Sequence, residues 1–333
     1  MRPRSSPHCR RALFLVAIAS IPLATATNLR AADPAYPSRP VRFLIPQSPG
    51  GGSDTIGRLV AQRLAEHYGQ SFVVDNRPGA AGMLGANIVR QSNPDGYTIL
   101  LSAIDTITAP LVTRNPPYDV LKDFAPVTQL TTSPNVWLVN PAFAAKSMKD
   151  LVEIARAKPR QLDYASSGVG SMQHLGGELL NQLAKIELAH VPYKGGGPAL
   201  VDLLGGRVPV MVSGTQGALP FIRNGKARAL AVTTPRRLSA LPDVPTVAEA
   251  LSLPAYEAVN WQGLFAPAGT TAAVVGGLAE AAIRQLSTPE VRARLAELGY
   301  DPVGNTPAVF TKLVFAEHRK WTQLVKAAGI KPE

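Results

Sequence analysis

Short β-rich runs and helix-period runs alternate from residue 41 onward, and this alternation restricts the chain to an α/β architecture. "VRFLI" (41–45) reads as a strand, and Ile56, Leu59, Val60 and Leu64 then recur at helical spacing until Gly69. "FVV" (72–74), the helical "MLGANIVRQS" and "YTILLS" (97–102) complete a βαβαβ order, which predicts a parallel sheet with helices on its faces. The order restarts at "SMKDLVEIARAKP", a helix with serine at its start and proline past its end. Strands "LDYAS", "LAHVPY", "VPVMVS" and "ARALAV" alternate with helices "SMQHLGGELLNQLAK", "GPALVDLLGG" and a short one near 217–224. Three helical patterns close the chain.

Two apolar segments, 127–140 and 256–267, bridge the blocks. The expected arrangement is two lobes, each a mostly parallel sheet flanked by helices, with two crossing segments as a hinge. Residues 36–130 and 262–333 form the first lobe and 131–261 the second. A cleft between lobes is a common place for a small ligand.

The N-terminus stands outside this pattern. Arg2, Arg4, Arg10 and Arg11 precede the apolar "ALFLVAIASIPLATA" (12–26), which ends in Ala-Thr-Ala. Residues 1–26 therefore read as a secretory signal peptide cleaved near Ala26, too short for a comfortable membrane span. The sole cysteine, Cys9, lies in that leader, so the expected mature chain has neither a disulfide nor a cysteine-held metal. Losing the four leader arginines lowers the formal charge from +11 to +7. The remaining cations are interspersed with acids, unlike a nucleic-acid-binding stripe.

Chemistry concentrates in two loops. "PGGGSD" (49–54) follows a predicted strand and opens a predicted helix, with Gly51 and Gly52 baring backbone and Ser53 or Asp54 available as the helix cap. Such a helix start attracts anions, although a plain tight turn explains the same residues equally well. "YASSGVGSMQH" (164–174) repeats the plan in the second block. Here Ser166, Ser167 and Ser171 offer hydroxyls, and Gly168 and Gly170 are expected to expose amides. Two such loops across one cleft would hold a small anion without arginine, each helix start contributing about 0.3–1 kcal/mol. Ser102 and Ser213, at the ends of their strands, join the candidate set. Trp261 either walls the cleft or fills the hinge core.

Enzyme signatures are missing. "GVGSM" is not G-x-S-x-G, and His67, His174, His190 and His318 form no metal spacing. His174, three residues after Ser171, either touches a ligand or structures the loop. A hydrolase using that pair is one alternative, and a ligand-sensing subunit docking on another protein is a second. His190, in "LAHVPY", reads as a hydrogen-bonded strand histidine. The third triple-glycine run, "YKGGGP" (193–198), reads as a flexible connection.

Taken together, "YPSRPVRFLIPQSPGGGSD", "VVDNRPGAAGMLGAN", "PDGYTIL", "HVPYKGGGPALVDLLGG", "RALAVTTPRRLSALPDVPTVAEA" and "GLFAPAGT" occur in an order that resembles the solute-binding receptors of tripartite tricarboxylate transporters, the Bug family. The resemblance runs from Tyr36 to the end. It implies a type II-like, two-lobed periplasmic binding protein, monomeric and without cofactor, that closes on a small carboxylate and delivers it to a membrane permease. It also implies that the loops matching 49–54 and 166–174 hold the carboxylate. Two departures stand out: Gln47 where the family often has Phe, and Ser213 where it commonly has Asp. An acid at 213 pairs with the ammonium of amino-acid ligands, so Ser213 predicts a carboxylate lacking an ammonium group.

Overall fold

The computed structural model describes residues 36–330 and 332, other than 51 and 239. The predicted leader thus lies outside the described residues.

The first block folds as β1 (Val41–Ile45), α1 (Gly52–Tyr68), β2 (Phe72–Asn76), α2 (Met83–Arg90) and β3 (Thr98–Ala103). Both β2 and β3 pair with β1 in parallel, as the βαβ pattern demands. Two short helices, α3 (Asp105–Leu111) and α4 (Val120–Asp123), then lead into β4 (Phe124–Ser133). Neither helix was anticipated: α3 contains threonines and Pro110, which are weak helix signals.

After Pro134 the chain enters a second sheet through β5 (Asn135–Val139), α5 (Met148–Ala157), β6 (Asp163–Ser166) and α6 (Met172–Ala184). It continues as β7 (Ala189–Pro192), α7 (Gly196–Leu204), β8 (Val210–Gly214), α8 (Thr215–Arg223), β9 (Arg228–Val232) and α9 (Val247–Leu251). The first sheet is then rejoined by β10 (Asn260–Pro267), α10 (Ala272–Leu286), α11 (Pro289–Glu297), β11 (Asp301–Pro302) and α12 (Pro307–Ala327). Local chemistry fixes the helix starts. Ser147 and Asp150 form a capping box on α5, Thr246 and Glu249 one on α9, and Pro289 and Pro307 open their helices behind threonine caps.

The strand orders are β11-β4-β10-β3-β1-β2 and β7-β6-β8-β5-β9. The sheets are mixed, which corrects the expectation of mostly parallel ones. The crossing strands are responsible: β10 is antiparallel to β3 and β4, and β5 is antiparallel to β8 and β9. The boundaries read from sequence at 130/131 and 261/262 fall inside β4 and β10.

Alternation along the strands divides the core. Val41, Phe43 and Ile45 face Ile56, Val60 and Leu64 of α1 and Leu278 and Ala282 of α10. Leu44, Leu100 and Phe265 face the opposite way, towards Phe310, Val314 and Trp321 of α12, and this layer continues to Trp137 and Tyr164 beneath α6. Each buried aliphatic or aromatic side chain contributes about 1.5–3 kcal/mol. The loops at the C-terminal ends of β1, β3, β6 and β8 rest on this packed base.

Candidate functional site

The loop after β1 is held by one carboxylate. Asp54 is 4% exposed. Its Oδ2 accepts the Gly50 amide at 2.9 Å and Arg58 Nε at 3.0 Å, while Oδ1 accepts Asn76 Nδ2 at 3.0 Å. Asn76 Nδ2 also donates to the Gln47 carbonyl at 3.1 Å. Burial pushes the Asp54 carboxyl up, but bonds from Arg58, the Gly50 amide and Asn76 outweigh it and hold the group below its ordinary value.

The helix begins at Gly52, so Ser53 and Asp54 stand in its first turn and neither is the cap expected from sequence. Their amides and that of Gly52 belong to the turn where a helix lacks internal acceptors. Gly52 is required by a close approach: a Cβ there would lie 2.1 Å from the Tyr300 hydroxyl. Gly51, the other candidate glycine, is outside the described residues.

The loop after β6 is held by neutral groups. Ser166, fully buried, has its Oγ 2.6 Å from His190 Nε2 and accepts the Gly168 amide at 3.1 Å. His174 Nδ1 accepts the Gly170 amide at 3.1 Å. Ser171 Oγ donates to the Gly168 carbonyl at 2.7 Å and caps α6 by accepting the His174 amide at 3.2 Å. Ser167 Oγ donates to Gln173 Oε1 at 2.9 Å. The amides of Gly168 and Gly170, expected to be open, are therefore spent inside the loop. The nearby serine hydroxyls are tied to it as well. His174 structures the loop, and its ring makes no bond to Ser171. The strand-histidine reading of His190 holds, with the addition that its partner belongs to the loop.

Burial pushes His174 down to about 4, and burial together with neighbouring His174 pushes His190 down to about 3. Both rings are neutral near pH 7.

Other candidates are placed as follows. Ser102 Oγ accepts from Thr106 Oγ1 at 2.5 Å at the start of α3. Ser213, 5% exposed, closes β8 and donates to the Gly214 carbonyl at 3.2 Å. Trp261, 2% exposed, packs edge-on against Phe310 at 5.4 Å, so it fills the core near the crossing. Its indole N–H has no acceptor among the described residues.

Several residues escaped sequence reasoning. Asn135 Oδ1 accepts Gln173 Nε2 at 3.0 Å, tying the crossing to the first turn of α6. Gln216 Nε2 donates to Ser133 Oγ at 3.2 Å and to the Gly299 carbonyl at 3.4 Å, joining α8 to the first lobe. A Cβ on Gly170 would lie 2.8 Å from Val112, just past α3, so the second loop touches the first lobe. The side chain of Asp105, the first residue of α3 and partly buried, makes no hydrogen bond or ion pair among the described residues, and burial pushes it up to about 6. Gln47 Oε1 is buried without a donor among the described residues. An acidic residue two positions past a strand was the available signal for Asp105. Among the described residues no cluster of His, Cys, Asp and Glu is suited to hold a metal ion.

Comparison with known proteins places the chain in a family. Residues 56–330 match the family model described as tripartite tricarboxylate transporter family receptor. The protein BugT of Bordetella pertussis is 35% identical over 89% of this chain and 91% of its own. Among solved structures, Rpa4515 of R. palustris with adipate has 38% identity and a TM-score of 0.79, over 90% of this chain and all of that one. MatC (Rpa3494) of Rhodopseudomonas palustris with bound malate has 34% identity and a TM-score of 0.74, over 87% of this chain and all of that one.

Proposed function

Because the chain belongs to the tripartite tricarboxylate transporter receptor family, we propose that it captures a small carboxylate between its lobes and hands it to a membrane permease. One observation carries this reading. Each sheet ends in a glycine loop that opens a helix, and the second loop reaches the first lobe at Val112. Helix starts with unpaired amides suit a carboxylate. The adipate and malate bound to the two relatives support the same ligand class.

The lobes are residues 36–130 with 262–333, and 131–261. The carboxylate lies between the first turn of α1, at Gly52 and Ser53, and the loop from Ser166 to His174, with Ser102 and Ser213 beside it. Asp54 and His174 act by shaping these loops. The chain is exported to the periplasm, loses its leader near Ala26 and acts as a monomer without cofactor or catalysis. Exported protein should have an intact mass that starts at or near Thr27.

Ser213 argues for a ligand without an ammonium group. A hydroxyl does not neutralise a buried ammonium, whose burial unpaired costs several kcal/mol. Asp105 and Gln47 Oε1 favour a second reading, an acid that also donates a hydrogen bond through a hydroxyl or amine.

Calorimetry with a panel of dicarboxylates, aromatic acids, hydroxy acids, aspartate and glutamate decides between them. Under the first reading amine-free acids bind and aspartate and glutamate bind poorly. Ser213→Asp then weakens amine-free acids through charge repulsion. Tighter binding of hydroxy acids, aspartate or glutamate than of every acid lacking a hydroxyl or amine would establish the second reading, and Asp105→Asn should then abolish that preference. Ser53→Leu should lower affinity more than about tenfold while the fold persists, because the side chain blocks approach to the α1 amides.

A further inference from the structure

We propose that the stacked imidazoles of His174 and His190 are positioning residues that hold the second-lobe loop in the one shape able to present outward amides to an anion. The proposal rests on the carboxylate-receptor reading above.

The loop is anchored at both ends by one rigid unit. His190 Nε2 lies 2.6 Å from Ser166 Oγ where the chain leaves β6, and His174 Nδ1 accepts the Gly170 amide at 3.1 Å where it enters α6. The two rings stack at 3.9 Å with an interplanar angle of 17°. Tyr164 braces the pair: its ring lies 5.2 Å from that of His190, and its hydroxyl bonds the His174 carbonyl at 3.0 Å and Glu178 Oε1 at 2.8 Å.

The anchoring sorts the loop's amides. Those of Gly168 and Gly170 point inward, to Ser166 Oγ and His174 Nδ1. Those of Ser167 and Val169, which alternate with them, have no acceptor among the described residues, and Val169 is 39% exposed. Successive inward bonds thus leave the intervening amides for a ligand. This division needs an acceptor at His174 Nδ1, and a protonated Nδ1 accepts nothing. The charged and titratable groups around the pair are Tyr164 of β6, Glu178 of α6 at 4.0 Å from His174 Nε2, and Arg160 and Glu187, which line a groove of about 600 Å³ together with His190. Burial keeps both rings neutral until the medium is distinctly acid.

The experiment pairs substitutions that keep an aromatic ring with substitutions that keep the bond. His174→Phe and His190→Phe retain a ring to stack but remove the nitrogen. His174→Asn places an amide oxygen near the Nδ1 position, and His190→Gln places an amide near Nε2. Each protein is titrated with adipate, malate and benzoate, and its Gly168 and Gly170 amide exchange is followed without ligand by NMR.

Both Phe variants should bind the preferred acid at least about tenfold more weakly. His174→Phe should speed Gly170 exchange, and His190→Phe should speed Gly168 exchange. The Asn and Gln variants should recover most of both losses. Gly170 protection in the native protein should collapse between about pH 5 and 3, tracking imidazole protonation, whereas His174→Asn should keep its protection there. Unchanged exchange in both Phe variants overturns the proposal. Equal losses in the Phe and the Asn or Gln variants also overturn it, because packing alone would then explain them. Should the Phe variants not fold, the pH dependence of Gly170 exchange in native and His174→Asn protein decides alone. If the native protein binds none of the acids and none in a wider panel, the receptor reading fails, while the exchange measurements still judge the positioning role.

Discussion

The loop after β1 is locked by a charge, whereas the loop after β6 is locked by hydroxyls and neutral rings. The two have the same strand–glycine–helix plan, yet Asp54 gathers Gly50, Arg58 and Asn76 around a carboxylate, and Ser166 and His174 fasten their loop to an uncharged imidazole stack. Their glycines also serve different ends. Gly52 makes room for the Tyr300 hydroxyl, while Gly168 supplies a φ of 134° that side-chain-bearing residues rarely adopt. A shared outline therefore does not imply shared chemistry underneath.

Removing the charged lock should have the largest effect. Asp54→Ala leaves the Gly50 amide, Arg58 and Asn76 without this acceptor, and should cost about 3 kcal/mol, since each bond to a charged group is worth about 1.5–3 kcal/mol. A denaturant midpoint measures this, and a loss below about 1 kcal/mol would mean that the carboxylate does not organise the loop.

The glycines come next. Gly52→Ala should cost about 1–3 kcal/mol by overpacking against Tyr300, and adding Tyr300→Phe should return much of it. Gly168→Ala should cost a similar ~1–3 kcal/mol through backbone strain, with no rescue from any neighbour's truncation. Thermal melts of the single and double variants test the distinction. The atom nearest the added Cβ is the main-chain carbonyl of Tyr193 at 3.2 Å, which truncation leaves in place, so rescue of Gly168→Ala by trimming any neighbouring side chain would erase the distinction.

Acid should separate the two locks. The unfolded chain protonates its histidines near 6.5, but folded His174 and His190 resist until about 4 and about 3. The unfolded state therefore binds more protons in that window, and stability falls as pH drops from about 6.5 through 4. The loss is about 1 kcal/mol per ring at about pH 5.5. Asp54, held below its usual 3.8, keeps its contribution throughout that window and loses it only in stronger acid. Amide exchange at pH 5 should accordingly show the second loop opening first. The reverse order would contradict the assignment of the two locks.

The smallest effect is expected from Arg58→Gln. Its side chain is 55% exposed, so the ion pair with Asp54 should contribute no more than about 1 kcal/mol and weaken further in salt. A loss comparable with that of Asp54→Ala would move the weight of the lock from the Gly50 amide and Asn76 to the surface cation.

Much of the scaffold was legible because its signals are local. The period of Ile56, Leu59, Val60 and Leu64 gave α1, and Ser147 and Pro159 bounded α5. Both candidate loops were legible from their glycines and serines. How those loops are held was only partly legible, because some neighbours come from afar: His190 meets the Ser166 hydroxyl, and Tyr300 packs against Gly52. The mixed sheets were hidden for a related reason. Strand direction at β4, β5 and β10 depends on how the chain crosses between sheets, and hydrophobic spacing carries no record of that. Asp105 was missed because α3, with two threonines and Pro110, does not read as a helix.

The passage from β4 to β5 has a mechanical consequence. A single residue, Pro134, separates the two strands. Its carbonyl accepts both the amide and the hydroxyl of Thr215, at 3.0 and 2.7 Å. Beside it, Asn135 exchanges bonds with Thr233 and reaches the Ala258 carbonyl at 3.5 Å, so the returning crossing is pinned to the outgoing one. A joint this short, with its φ fixed by the proline ring, has no slack for sliding. A change of angle between the two sheets would have to be absorbed at these two adjacent crossings, by rotation and not by translation.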